Sequence, residues 1–310
     1  MKVVHGDPMR WSLPSSSSAV TIGVYDGVHR GHQIVIEDLE TTGASLGVRR
    51  RVVLTFDRHP LAVLDPPRAP KMLTTIERRL DILERLGVDV VGVLPFDQIR
   101  QMRPAEFIDR VLVDALHARL VVVGSNFRFG VDRSGGVDAL RSAGSRLGFE
   151  VDTVDLLRGD GATLSSTAIR GMLDRGEVGA ATDALGRLFE FEGTVIGGDG
   201  RGRSLGYPTA NLDIPEELLI PGNGVYAVWA TTRHGVHPAV ANIGVRPTFG
   251  GTDRIVEAHL LDEMPALYGE WMLLSFAGRI RGEQRFAGAD ELVIQIGLDV
   301  AAAREMLEES

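Results

Sequence analysis

Two histidines three residues apart, His29 and His32, lie just beyond the apolar run at 20–24, among glycines Gly27 and Gly31. At the start of a helix such a pair projects to one side of the first turn. Unpaired backbone N–H groups and the positive end of the helix dipole already favour an anion there. Two imidazoles would donate to a phosphate and stabilise charge gathering on it during transfer. Glycine lets the backbone come close to a bulky ligand. A lone His-x-x-His pair is as easily a surface accident or a fragment of a metal site. A second segment, residues 164–170, weighs against that. Ser165 and Ser166 read most simply as N-caps, but a cap has no use for Thr167 and Arg170, three apart on the same turn. Hydroxyls, amides and a guanidinium together make a phosphate clamp.

Residues 197–204 come close to a phosphate-binding loop, with Gly197, four residues, Gly202 and then Arg203-Ser204. That reading fails, because Arg203 stands where lysine is needed and 205–208, Leu-Gly-Tyr-Pro, cannot open the required helix. A glycine-rich turn between strands is what remains. Just beyond it, Thr209 and Asn211 offer neutral oxygens two apart, suited to holding Mg²⁺ against ATP phosphates. Alone, such a pair is usually only a turn. Glu257 lies in the apolar run 255–261, where a carboxylate either faces outward on a half-buried strand or is functional. His259, two residues on, reads as structural.

The elements that must position these residues follow from length and period. A chain of 310 residues, at about 150 per domain, suggests two domains. In the first half, valine-rich runs at 20–24, 51–55, 88–94, 120–123 and 151–154 recur about every 30 residues, with helical patterns between them. Residues 77–86 carry Leu80, Leu83 and Leu86 on one face, with Thr74 as the expected N-cap and Glu77 completing a capping box. Another helix is expected from Pro104. This alternation predicts an α/β domain, a parallel sheet with helices on both faces, whose ligand sits beyond the carboxyl ends of the strands. From Phe189 onward, short β-type runs at 189–196, 224–231, 256–261 and 271–276 alternate with Gly- and Pro-rich turns, and only 290–307 looks helical. That predicts a small antiparallel β-barrel with a C-terminal helix. The expected domains are residues 1–186 and 187–310. Glycine turns around 198–206 and 244–251 are expected to move over substrate.

Composition narrows the partners. Lys plus Arg number 33 and Asp plus Glu 42, a net −9, which argues against a diffuse grip on nucleic acid. Cysteine is absent, so disulfides, thiolate metal sites and cysteine nucleophiles are excluded. Apolar runs stay well short of the roughly 18 residues of a membrane span, and the N-terminus lacks a signal-peptide core. The expected location is the cytoplasm, with no membrane partner. Oligomeric state is left open.

Residues 23–32 (Gly-Val-Tyr-Asp-Gly-Val-His-Arg-Gly-His), 54–60, 124–130 and 165–170 together resemble the N-terminal module of the bacterial bifunctional riboflavin kinase/FMN adenylyltransferases, also called FAD synthetases. Tyr25 and Arg58 depart from the family's usual Phe and Pro. The resemblance implies a Rossmann-like nucleotidyltransferase domain. His29 and His32 would contact ATP phosphates, with Gly23, Asp26, Gly31, Ser166, Thr167 and Arg170 completing the nucleotide site. Phe56, Asp57 and Asn126 would lie on the flavin side. Residues 203–212, containing Pro-Thr-Ala-Asn, with 224–228, 242–250 and 256–261, resemble the riboflavin kinases. That implies nucleotide contacts from Gly198, Gly200, Arg201 and Gly206, and Mg²⁺ held by Thr209 and Asn211. Glu257 would be the general base and Arg281 a flavin contact. The implied activity is riboflavin to FMN, then FMN to FAD, each with ATP and Mg²⁺. A transferase for another phosphorylated vitamin and a non-catalytic flavin-binding regulator stand as alternatives.

Overall fold

The valine-rich runs become the interior of a six-stranded sheet in which every neighbouring pair is parallel. The computed structural model describes residues 1–155, 158–159, 162–198, 202, 205–248, 251–262 and 267–309. Its chain divides into two compact units, Met1–Ser166 and Thr167–Ser310.

In the first unit, β1 (Lys2–His5), β2 (Ser18–Ile22), β3 (Arg50–Phe56), β4 (Val90–Leu94) and β5 (Ala118–Gly124) are followed by a two-strand ribbon. That ribbon is β6 (Arg128–Phe129) with β7 (Gly135–Gly136); β8 (Glu150–Val154) completes the sheet, and β9 (Arg158–Gly159) pairs with β10 (Ala162–Thr163). The sheet order is β1-β4-β3-β2-β5-β8. From β2 the chain steps outward through β3 to β4, then crosses back to β5 on the other side of β2. Order therefore reverses between β2 and β5, where a crevice opens beyond the strand ends and ligands bind in such sheets. Residues 23–32 leave β2 at this place, and residues 125–127 leave β5 there. Val20, Leu54, Val121 and Leu112 lie among the wholly buried core side chains beneath it.

Three local expectations change. β1 is a further strand, a four-residue edge whose half-exposed residues show no alternation to read. β2 ends at Ile22, because Tyr25 and Val28 take positive φ of 53° and 40° and Gly27 one of 78°, which a strand cannot contain. The helix Ile76–Arg85 is capped by Thr75, whose Oγ1 accepts from the Arg78 amide at 3.1 Å, and not by Thr74. Thr74 is occupied with the histidine loop.

The second unit opens with the remainder of the helix Ser166–Asp174 and with Val178–Leu185, and then closes a barrel. Its strands are β11 (Phe189–Ile196), β12 (Ala210–Asp213), β13 (Gly224–Thr232), β14 (Gly235–Thr248), β15 (Gly251–Leu260) and β16 (Trp271–Arg281), in the order β11-β12-β15-β14-β13-β16. All pairings are antiparallel, and β16 closes on β11. The helix Ala289–Glu308 follows, burying Ala303 and Leu307 in a cluster with Val225, Ala227 and Val240. β12 and β14 were not foreseen as strands. Pro238, Pro247 and the glycines of β14 look like turn residues, yet Gly244 is buried in the ladder. A Cβ there would come within 2.8 Å of Glu283 Oε1, so the expectation of a mobile turn beginning at Gly244 is corrected to a strand.

Candidate functional site

The loop after β2 is latched at nearly every residue. Thr55 Oγ1 donates to the Val24 carbonyl at 3.0 Å, and the buried Tyr25 hydroxyl shares a 2.6 Å bond with Thr21. Burial pushes the Tyr25 phenol well above its usual range. Asp26, 1% exposed, accepts from the Leu73 amide at 2.9 and 3.1 Å and from the Thr74 amide at 3.2 Å. Thr74 Oγ1 accepts in turn from the Gly27 amide at 3.3 Å, and Ser166 donates to the Asp26 carbonyl at 2.9 Å. These anchors hold two non-glycine residues at positive φ, a strain that persists only where the surroundings over-determine it. Gly23 is required for space: a Cβ would meet the Tyr25 ring at 3.0 Å.

The product of this bracing is the imidazole pair. His29 is the N-cap of the helix Arg30–Ser45 and is 2% exposed. Its ring stacks on His32 with centroids 3.7 Å apart and planes 18° apart, and the Tyr25 ring lies 4.7 Å from that of His32, tilted by 43°. His32 Nδ1 has no hydrogen-bond partner among the described residues. Burial pulls the His32 imidazole well below its usual pKa, helped by His29 and by Arg79. Two stacked imidazolium ions would repel, so His32 is a neutral imidazole near pH 7, one nitrogen donating and the other accepting. Arg79, 3% exposed, reaches Thr55 Oγ1 at 3.3 Å, and burial lowers its guanidinium against the pull of Asp26 and Glu77. Thr55 and Arg79 were not singled out in the sequence, and Thr74 was read there only as an N-cap. Only their burial and long-range bonds mark them, although an arginine on the apolar face of an amphipathic helix is a signal of sorts.

The other residues expected in this unit have distinct places. Gly31 is buried in the first turn of the helix. Asn126 is exposed on the turn after β5, and a Cβ on Gly124 would come within 3.3 Å of its Oδ1. Phe56 meets Phe96 edge-on at 5.4 Å. Asp57 accepts from the Phe96 amide at 3.0 Å and pairs with Arg58 at 3.2 Å, so its carboxylate ties the ends of β3 and β4 together. Thr167 and Arg170 lie on the first turn of the helix Ser166–Asp174, Thr167 exposed and Arg170 half-buried.

The barrel assembles its polar groups by register. Asn211 on β12 is paired with Glu257 on β15, and Glu257 with Asn242 on β14, so three polar side chains form one row across three strands. Paired residues in adjacent strands share a face. Glu257 and Asn242 line a cavity of about 510 Å³ together with Thr209, His259, Arg281 and Asp299. His259 Nδ1 lies 2.8 Å from the Pro208 carbonyl and its ring meets Tyr207 edge-on, fixing the backbone that leads into Thr209. That fits its structural reading. Gly198 lies so close to Asn211 that a Cβ would fall 2.1 Å from Nδ2. The Tyr207 amide donates to the Gly202 carbonyl at 2.8 Å, and Gly206 has a φ of 89°. Gly200 and Arg201 lie outside the described residues. Asn242 and Asp299 are additions to the expected set. Among the described residues no group of three acidic or histidine side chains gathers to hold a metal. Neutral oxygens from Thr209 and Asn211 with one carboxylate nearby do fit a hard ion that keeps most of its ligands as water and phosphate.

Residues 13–168 match the family described as FAD synthetase, and residues 185–307 the one described as riboflavin kinase. A bifunctional riboflavin kinase/FMN adenylyltransferase of Escherichia coli (strain K12) is 37% identical over 98% of this chain and 97% of its own length. One from Pseudomonas fluorescens is 40% identical over 92% of each. The chain belongs to this family. As a bifunctional riboflavin kinase/FMN adenylyltransferase, it converts riboflavin to FMN and FMN to FAD, using ATP as co-substrate. The fold is shared at TM-score 0.90 and 29% identity, over 98% of this chain and 99% of the other, with a solved structure titled as a macrolide-efflux protein from Streptococcus pneumoniae. Among the described residues of this enzyme no helix is long and apolar enough to cross a membrane.

Proposed function

We propose that the latched loop at residues 23–32 performs adenylyl transfer and the barrel cavity performs riboflavin phosphorylation, with the functional boundary between residues 186 and 187. The observation that carries this reading is that Glu257 and Asn242, paired across β15 and β14, line a cavity with Thr209, while Asn211 is the strand partner of Glu257 on β12. Together they supply a base and neutral oxygen ligands within one small site.

In the adenylyl step the FMN phosphate is already an anion and attacks the α-phosphorus of ATP directly, expelling pyrophosphate. No base and no covalent enzyme intermediate is required. Catalysis is alignment and charge stabilisation. His29 and His32 donate to the phosphates from the helix start, Gly23 and Gly31 let the backbone close on the nucleotide, and Ser166, Thr167 and Arg170 grip the phosphates. Asp26 acts through the loop it holds, since its carboxylate is spent on the Leu73 and Thr74 amides. Phe56, Asp57 and Asn126 shape and position the flavin side.

In the kinase step Glu257 takes the proton from the ribityl 5′-hydroxyl as that oxygen attacks the γ-phosphorus, breaking its bond to the β–γ bridging oxygen and releasing ADP. Thr209 and Asn211 would hold Mg²⁺, which when bound neutralises phosphate charge. Gly198 and Gly206, with Gly200 and Arg201 by the resemblance, bind the nucleotide, and Arg281 contacts the flavin. The dependence on ATP at both steps supports a cytoplasmic location. Glu257→Gln keeps the shape and removes the base. We expect FMN formation to fall by about 10²–10⁴ with adenylylation of supplied FMN unchanged, read by chromatographic separation of riboflavin, FMN and FAD. Wild-type FMN formation in that variant would overturn the reading.

A further inference from the structure

The barrel cavity has one wall made by the helix Ala289–Glu308, from which Leu292, Ile296 and Val300 line it at four-residue steps. On the same helix Asp299 is buried, its side chain 4% exposed. It takes the Arg281 Nε at 2.9 and 3.1 Å and Nη2 at 2.8 Å, and it also accepts from Gln295 Nε2 at 2.9 Å. Arg281 Nη1 donates to the Gly282 carbonyl at 3.0 Å, and the guanidinium stands 5.6 Å over the Phe286 ring. A guanidinium has five N–H groups in a fixed plane. Three are committed here, and two remain for whatever fills the cavity.

Breaking a buried pair of this kind is costly, so its retention calls for a use. The charge of Arg281 is already met by both oxygens of Asp299. What the pair presents is therefore a net-neutral, rigidly oriented pair of donors, poorly suited to attracting a phosphate and well suited to a carbonyl. If Glu257 reaches the ribityl hydroxyl, the flat ring system of riboflavin must extend from it. Leu292, Ile296 and Val300, on the helix that carries Asp299, and Phe286, just before that helix, supply the apolar wall such a ring wants. The polar edge of the ring bears two carbonyl oxygens.

We propose that Asp299 is a positioning residue that orients Arg281 to donate to the carbonyl edge of the isoalloxazine ring, making the pair a determinant of flavin binding and not of nucleotide binding. This rests on reading the cavity as the riboflavin kinase site. The test is a steady-state comparison of wild type, Asp299→Asn, Asp299→Ala and Arg281→Lys in the full chain. FMN adenylylation by the same samples serves as the fold control. Asp299→Ala is expected to raise the KM for riboflavin by about 10- to 100-fold, with kcat and the KM for ATP within about twofold. Asp299→Asn, which keeps one acceptor oxygen, should recover part of that loss. Arg281→Lys, which keeps the charge but loses the fork, should behave like Asp299→Ala. Where saturation is out of reach, the slope of rate against low riboflavin concentration reads the same loss. An equal rise in the KM for ATP, a fall in kcat alone, or an unmoved riboflavin KM would each overturn the proposal. Persistence of kinase activity in Glu257→Gln would instead remove the reading on which it rests.

Discussion

On the assignment proposed above, the loop after β2 and the row across β12, β15 and β14 would serve the same kind of chemistry by opposite means. The loop is immobilised: Asp26, Thr55, Thr74, Tyr25 and Ser166 bind its backbone or its neighbours, and the histidine pair is packed between Tyr25 and the helix start. The barrel row is set by strand register, and its Glu257 and Asn242 line a cavity. The nucleophile explains the difference. A phosphate attacks without being deprotonated, so the first site needs donors fixed where charge develops, and preorganisation is its whole contribution. A ribityl hydroxyl must lose a proton, so the second needs a carboxylate in contact with solvent and substrate.

The widest gap between the two sites should appear with His29→Ala. Removing one preorganised donor costs about 10²–10³ in adenylyl transfer, while FMN formation by the same sample stays at wild-type rate. Loss of both would erase the contrast. Next comes Gly198→Ala, where the new Cβ must displace the Asn211 amide. We expect kinase turnover to drop by about 10- to 100-fold, in line with overpacking costs of about 1–3 kcal/mol, with adenylylation untouched. Wild-type kinase rates would show that the turn yields freely.

Smaller effects sharpen the same comparison through stability. Asp26→Asn weakens a buried acceptor of two backbone amides, and about 1–3 kcal/mol should be lost from the first unit. The adenylyl rate should fall with it as the loop loosens, read by chemical denaturation alongside turnover. An intact adenylyl rate with reduced stability would separate bracing from catalysis. The smallest effect concerns His32, whose imidazole is pulled below its ordinary range by burial, His29 and Arg79. Below about pH 6.5 the unfolded chain takes up a proton that the folded chain refuses, so stability declines as pH falls. One such group contributes a slope of at most about 1.4 kcal/mol per pH unit. His32→Gln should flatten that decline between pH 7.5 and 5.5, and an unchanged slope would contradict a neutral, buried His32.

Sequence periodicity was enough to find the parallel sheet and its crevice, because β2 to β5 are continuous valine runs buried on both faces. It failed at β1, an exposed edge, and at β12 and β14, where proline and glycine conceal a ladder. Glu257 and Asn211 were legible as residue types in a motif, but their pairing with Asn242 is a property of register and has no local signal. Asp299 was hidden for a related reason. On a helix its neighbours in sequence say nothing about Arg281, which comes from β16 and meets it only in the folded barrel. Asp26 adds a role that the motif does not show: its carboxylate accepts from the Leu73 and Thr74 amides, a long-range contact with no local signal.

Mixing the two single variants gives the most direct test of separate transfer sites. His29→Ala and Glu257→Gln are each incubated with riboflavin and ATP, alone and then together, and the flavins are separated. Alone, the first should stop at FMN and the second should leave riboflavin unconverted. Together they should form FAD at a rate set by the FMN that the first releases. Failure of the mixture to make FAD, with both chains folded and each retaining its one activity, would contradict two independent sites.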